Sequence, residues 1–187
     1  MKISKQLEDK SRFMALVLRH KPHQANLTLD ENGYVESDIL CKELGITFED
    51  LKLIVISNDK QRFSFNDDQT MIRAAQGHSI KNVDLKLEAA MPPQILYHGT
   101  KEEYVKFIQR DGLLIQNRNH VHLSDNIDTA IKVGDRRKGK TKILLIRAME
   151  MRAAGFLFYK SDNNVWLTGN VPSQYIDFKG DEKGITF

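Results

Sequence analysis

The stretch "VDLKLEAAMPPQ" divides this sequence into two differently patterned halves, and no other feature constrains the fold as strongly. Pro92 and Pro93 donate no backbone hydrogen bonds and disfavour helix in the residue before them, so the segment reads as an extended connector. Before it, helical spacing dominates. After it, short apolar strands outnumber helices. With 187 residues, each half is long enough to bury a core of its own. The expectation is an α+β chain of two lobes, residues 1–90 and 91–187.

In the first lobe, Phe13, Leu16 and Val17, with Met14 and Leu18, recur at spacings of three and four and predict a helix. Pro22 pushes Lys21 out of the α region, so the helix should end near Lys21. A turn is expected at Asp30-Glu31-Asn32-Gly33. Ser37 is a candidate cap for "DILCKEL", and Gly45 stands where a terminating glycine belongs. Thr47 with Asp50 forms a capping-box variant ahead of "FEDLKLIVIS". "RFSFNDDQTMIRA" alternates around Asp67-Asp68 and predicts a β-hairpin. Helices followed by a two-stranded wing read as a winged-helix-like lobe, a statement of fold that does not itself imply nucleic-acid binding.

In the second lobe, "ILYHGT" is a short strand, and Thr100 with Glu103 has capping-box spacing for the helix "KEEYVKFIQRD", which Gly112 ends. "VHLS" is a strand and "IDTAIKVG" a helix. "KILLIRA", "FLFYK" and "NVWLT" are further strands, the last two joined by a turn from Ser161 to Asn164. The spacing gives no regular βαβ units, so a mixed α+β lobe is expected rather than a doubly wound sheet.

Composition removes several classes of function. The lone Cys41 permits neither a disulfide framework nor a cysteine metal cluster; it lies in an apolar helical pattern and is expected in the core of a protein of the reducing cytoplasm. No apolar run approaches the roughly 20 residues of a membrane helix, and the opening "MKISKQLEDKS" lacks the apolar core of a secretory signal. Net charge is only +3, with 13 Lys and Arg against 14 Asp and Glu up to residue 90, and 15 against 11 beyond it. Contact with nucleic acid must therefore rest on a few placed cations, not a broad basic face. GxGxxG, GxxxxGK[ST], HExxH and GxSxG are all absent. His120 and His122 are expected to face opposite ways on a strand and so not to grip one metal together, and no metal is expected.

The remaining chemistry lies in two groups of residues. "ALVLRHKP" runs an apolar helix into Arg19, His20 and Lys21; taken alone, basic residues in a last turn suit the helix dipole. "YHGT" at 97–100, "VHLS" at 121–124 and "NVWLT" at 164–168 place polar groups at strand ends, where a glycine lets a ligand approach the backbone. In this order, the second group resembles the ADP-ribosyltransferase superfamily, in which a split sheet grips NAD. The resemblance implies that His98 meets the nicotinamide ribose and the Gly99 backbone the nicotinamide amide. It places His122 where the superfamily commonly has Tyr, and an apolar residue, Val165, where it commonly has Glu. Thr100, Leu123 and Ser124 complete the implied NAD contacts, with Ser124 alternatively only capping the next helix.

Over nearly the whole length, "LRHKP", "LDENGYV", "DKQRFSF", "IRAAQGHS", "LYHGT", "HVHLS", "VGDRRKGK" and "NVWLT" resemble in order the NAD-dependent RNA 2′-phosphotransferases, including the tRNA 2′-phosphotransferases. That family implies a winged-helix lobe facing an ADP-ribosyltransferase lobe. It implies NAD as co-substrate and an RNA with an internal 2′-phosphate, tRNA-like, as partner, with no membrane or protein partner. The products implied are 2′-OH RNA, nicotinamide and ADP-ribose 1″,2″-cyclic phosphate, through a 2′-phospho-ADP-ribosylated RNA. Its Arg-His-Arg-Arg tetrad maps to Arg19, His20, Arg62 and Arg136, with Arg137 one residue away as the competing choice for the fourth.

The chemistry is coherent with that pattern. A phosphate oxygen is already nucleophilic and needs no strong base, and a Glu beside it would repel it. Guanidinium groups hold phosphate with paired donors, and charge building on the phosphoryl oxygens is stabilised by preorganised Arg and His. Lys60, two residues before Arg62 in an expected strand, should share its face. Arg73 and "GHS" at 77–79 read as structural, and Trp166 and Phe156, at alternating strand positions, as core. Two rival readings stand beside this one. One is an ADP-ribosyltransferase acting on terminal phosphates of nucleic acid. The other is a non-enzymatic winged-helix regulator with NAD as effector, which the acidic balance of the first lobe disfavours.

Overall fold

A computed structural model describes residues 3–58 and 60–178; Asp59 of "DKQRF" and the end of the second expected lobe, 179–187, lie outside the described residues. The chain divides into two compact units. One holds the residues up to Leu87 together with Ser161–Asn163, and the other holds Glu88–Lys160 and the chain from Asn164 on.

In the first unit, helix α1 (Lys5–Arg19) is capped by Ser4, whose side chain accepts from the Leu7 amide, and it buries Met14, Val17 and Leu18. It ends at Arg19, two residues before Lys21, because Pro22 opens a short 3-10 turn, Pro22–Ala25. Strand β1 (Tyr34–Glu36) follows a turn in which Asp30 Oδ1 accepts from the amides of Asn32 and Tyr34. Helix α2 (Ser37–Leu44) begins without a side-chain cap, since Ser37 Oγ donates to the Gln69 carbonyl instead. It ends at Gly45, whose φ of +63° is the left-handed conformation a terminating glycine supplies. Thr47 and Asp50 form the expected capping box of α3 (Phe48–Ile56).

Strands β2 (Phe63–Phe65) and β3 (Met71–Ala74) form the expected hairpin, and β3 also pairs antiparallel with β1, giving the order β1-β3-β2. Met14, Leu18, Leu40, Leu44, Leu51, Ile54 and Ile72 fill the core, with Cys41 at its margin. Shortening any of the fully buried Leu residues to Ala costs about 2–5 kcal/mol. Arg73 is structural, as expected: it lies over the Tyr34 ring, donates to the Leu85 carbonyl and pairs with Asp162 at 3.2 Å.

The second unit holds two three-stranded antiparallel sheets. The first has order β4-β6-β9, from β4 (Ile95–Lys101), β6 (Thr141–Arg147) and β9 (Ile176–Asp177). The second has order β5-β8-β7, from β5 (Val121–Leu123), β7 (Phe158–Lys160) and β8 (Trp166–Thr168). A bridge between Tyr97 and Ser124 ties β4 to β5. Helices α4 (Glu102–Asp111), α5 (Ile127–Gly134) and α6 (Ala148–Ala153) complete the unit around Leu96, Leu144, Ile146, Met151, Phe158 and Trp166.

The Thr100–Glu103 capping box does not form. β4 pairs with β6 as far as Lys101, so Thr100 stays in the ladder, and Lys101, without a side-chain cap, precedes α4. Phe156 lies in the loop after α6 and not on a strand; its ring meets Tyr175 edge-on at 5.7 Å. Trp166 is buried, as expected of a core residue, and donates from Nε1 to Asp125. Among the described residues, no helix is long and apolar enough to cross a membrane.

Candidate functional site

In the first unit, the end of α1 and the approach to β2 bring three expected residues together. Arg19 Nη2 donates to the Arg62 carbonyl at 3.4 Å. The amide of Ser79 donates to the Arg19 carbonyl at 3.0 Å, and Ser79 Oγ lies 2.9 Å from His20 Nδ1. Arg62 is held by Asn58, whose Oδ1 accepts from the Arg62 amide at 3.4 Å and from Nη1 at 3.2 Å. These contacts, to a backbone carbonyl, a serine and a carboxamide, orient the Arg19 and Arg62 guanidinium groups and the His20 ring.

Lys60 is not on a strand with Arg62. It sits in the turn before β2, and Gln61 between them has φ +41°, which breaks the alternation. Asn58 accepts from the Lys60 amide as well, and the Lys60 carbonyl accepts from Asn163 Nδ2.

"GHS" frames this cluster. Gly77 has φ +89°, a turn conformation that frees the chain to send His78 inward and Ser79 towards α1. His78 is 3% exposed, and neither ring nitrogen has a partner among the described residues. Burial first, and then the charges of Arg19, His20 and Arg73, push its pKa down to about 4. His78 is therefore neutral at pH 7 and adds no charge to the cations around it.

In the second unit, His98 on β4 places Nδ1 3.0 Å from the carbonyl oxygen of His122. A carbonyl only accepts, so His98 Nδ1 carries the proton and Nε2 is left as an acceptor. Burial lowers the His98 pKa, opposed by this hydrogen bond and reinforced by Arg118. Arg118 Nη1 reaches within 3.5 Å of His122 Nδ1. Partial burial of its guanidinium, then Arg136 and Arg137, lower the Arg118 pKa. The expectation that His120 and His122 face apart on one strand is not met: His120 lies just before β5 and packs edge-on against Tyr159, which stands in register with Leu167 and His122 on one face of the sheet.

Gly99 has a packing role that its position in the motif did not announce. A Cβ there would lie 2.0 Å from the Ala130 carbonyl oxygen, so the bare backbone of β4 is what admits α5. Gly134 at the end of α5 is similarly crowded, by Thr141 at 2.4 Å. Thr100 pairs with Lys142, Leu123 is buried opposite Trp166, and Val165 immediately precedes β8. Ser124 Oγ accepts from the Asn126 amide and donates to its carbonyl, and Asn126 caps α5. Arg136 and Arg137 are both exposed just past α5. The loop that carries them is anchored by buried Lys101, which donates to the Gly139 carbonyl and Thr141 Oγ1, both at 2.7 Å.

Arg19, His20 and Arg62 are thus brought together in the first unit. His98 meets His122 in the second, where Arg136 adjoins Arg118. Sequence reasoning passed over Asn58, Arg118 and Lys101 and read Ser79 only as support. The one available signal was Arg118, four residues before His122 in "RNHVH". Among the described residues, no group of three His, Cys, Asp or Glu is placed to hold a metal ion.

Residues 5–170 match the sequence model of the RNA 2′-phosphotransferase, Tpt1 / KptA family, and the chain belongs to that family. It is 47% identical over 183 residues to a probable RNA 2′-phosphotransferase of Rhodopirellula baltica, covering 95% of this chain and 99% of the relative. It is 48% identical over 174 residues to one of Flavobacterium johnsoniae, covering 90% and 94%. A third, of Fusobacterium nucleatum, is 46% identical over 172 residues, covering 89% and 96%.

Proposed function

We propose that this chain is an RNA 2′-phosphotransferase that uses NAD as its phosphate acceptor. The observation that carries the reading is the meeting of Arg19, His20 and Arg62, cationic or protonatable side chains from two separate stretches of the chain. A 2′-phosphate needs that arrangement, because each guanidinium offers paired donors to its oxygens.

The second unit fits NAD. Nε2 of His98, an acceptor, suits a ribose hydroxyl, and Gly99 lies beside it. His122, Thr100, Leu123, Ser124 and Val165 complete the proposed pocket. Arg118, Arg136 and Arg137 repel one another until an anion arrives, which favours binding of phosphates there.

In the first step, an oxygen of the RNA 2′-phosphate attacks the anomeric carbon of the nicotinamide ribose and nicotinamide leaves, giving 2′-phospho-ADP-ribosylated RNA. In the second, the ribose 2″-OH attacks the same phosphorus. The RNA 2′-oxygen departs with a proton, leaving ADP-ribose 1″,2″-cyclic phosphate. Arg19, Arg62 and Arg136 stabilise charge on the phosphoryl oxygens, and His20 donates to the phosphate or to the leaving oxygen. The element order α1-β1-α2-α3-β2-β3 supports the winged-helix reading of the first unit, and the paired small sheets support the ADP-ribosyltransferase reading of the second. The buried free thiol of Cys41 agrees with a reducing cytoplasm.

The test is incubation with NAD and a short RNA carrying one internal 2′-phosphate, with a chelator present, followed by mass analysis. Nicotinamide and 2′-OH RNA should appear in equal amounts. Release of inorganic phosphate without nicotinamide, or efficient labelling of RNA ends with no action on the 2′-phosphate, would replace the reading.

A further inference from the structure

Resting on that function, we infer that Ser79 is a positioning residue: its hydroxyl holds His20 with the proton on Nδ1, so that Nε2 is the nitrogen that exchanges a proton during phosphate transfer. Ser79 meets the end of α1 twice. Its amide donates to the Arg19 carbonyl at 3.0 Å, and its Oγ lies 2.9 Å from His20 Nδ1. The first contact is made by backbone and fixes where Ser79 stands. The second is made by the side chain and acts on the ring.

A protonated imidazole has two N–H donors and no acceptor. Whenever His20 is charged, Nδ1–H must therefore donate to Ser79 Oγ. The proton that can leave without breaking this bond is the one on Nε2. After transfer, the ring is neutral with Nδ1–H in place and Nε2 ready to take a proton again. A free histidine side chain prefers the opposite neutral form, with the proton on Nε2, so the hydroxyl has a definite preference to overcome.

Gly77 and His78 explain how the hydroxyl is held in place. The positive φ of Gly77 turns the chain, and the His78 ring is buried beneath Gly33, where a Cβ would stand 3.2 Å from His78 Nε2. The tight fit on one side of residue 78 leaves Ser79 little freedom to move away from α1.

The side chain and backbone roles separate cleanly in a variant, since Ser79→Ala removes the hydroxyl and keeps the amide. The measurement pairs steady-state kinetics with 15N NMR of the His20 ring, recorded above its titration midpoint, in the full chain. The wild type should show neutral His20 with its proton on Nδ1. Ser79→Ala should move the population towards Nε2–H and lower kcat about three- to tenfold, as loss of one hydrogen bond does, with KM for RNA within about twofold. Ser79→Thr should restore both readouts.

Wild-type His20 with its proton on Nε2, or a tautomer unchanged in Ser79→Ala, overturns the inference, whatever the rate. If the wild type shows no NAD-dependent transfer, the proposed function fails, while the NMR on wild type and variant still decides the tautomer. Thermal melting of each variant shows whether a lost rate is a lost fold.

Discussion

The end of α1 and the strand end at His98 solve opposite problems. Around Arg19 and Arg62, every hydrogen-bond partner named is neutral: a backbone carbonyl, a serine and the carboxamide of Asn58. Around His98, the charge itself is suppressed by burial, and shape is set by backbone contact, with Gly99 packed against Ala130. The first region gathers cationic side chains, which under the proposed function meet an anion. The second offers a neutral acceptor and close backbone, which suit a nucleoside. Under the proposed function, the RNA phosphate and the NAD nucleoside place their demands on separate units.

The largest effects should come from removing the cations. Arg19→Ala, His20→Ala, Arg62→Ala and Arg136→Ala should each lower the single-turnover rate roughly a hundred- to thousandfold, equivalent to about 3–4 kcal/mol in the transition state, with melting nearly unchanged. Arg137→Ala should cost much less. Normal rates in folded Arg19→Ala and His20→Ala would return "LRHKP" to an ordinary helix end. Arg62→Ala is also the variant in which to look first for RNA bearing 2′-phospho-ADP-ribose.

In the other region the dominant sensitivity should be to shape. Gly99→Ala puts a methyl group into the Ala130 carbonyl and should destabilise the protein by about 1–3 kcal/mol or more, visible as a lower melting temperature. An unchanged melting temperature would mean that α5 does not depend on this close approach.

Acid provides a third contrast, through His78. Its pKa is about 4 in the folded chain against an ordinary 6.5. The unfolded chain therefore takes up a proton that the folded chain refuses. Stability is whole above pH 6.5 and falls as pH drops towards 4. The loss should reach ~3 kcal/mol, at about 1.36 kcal/mol per pH unit. His78→Leu, which leaves no buried ring to protonate, should flatten this part of the stability curve. Denaturant melts across the range read it directly.

A smaller effect is expected at Asn58, whose carboxamide holds the Arg62 amide and guanidinium. Asn58→Ala should lower the rate several-fold, to about tenfold, and much less than Arg62→Ala. Equal losses in the two variants would show that Asn58 does more than hold its neighbour.

These contrasts also show what a sequence can and cannot reveal. Gly45 after α2 and the Thr47–Asp50 box before α3 depend on a few adjacent residues, and both were legible. Thr100 and Glu103 carry the same local signal and fail, because pairing with β6 holds the chain extended through Lys101. Lys60 lost its expected face to the positive φ of Gln61, which no pattern of apolar residues reports. Arg19, His20 and Arg62 were legible as motifs. Their supports, Asn58 and Ser79, were not, because what they do depends on what the fold brings next to them.

The most direct test of this division is a binding titration with each substrate alone, so that no turnover intervenes. Calorimetry would compare wild type, the double variant Arg19→Ala/Arg62→Ala, and His98→Ala. The double variant should bind 2′-phosphorylated RNA at least about tenfold more weakly while holding NAD within about twofold, and His98→Ala should show the reverse pattern. Loss of NAD binding in the arginine variant, or equal loss of both ligands in either protein, would contradict the account.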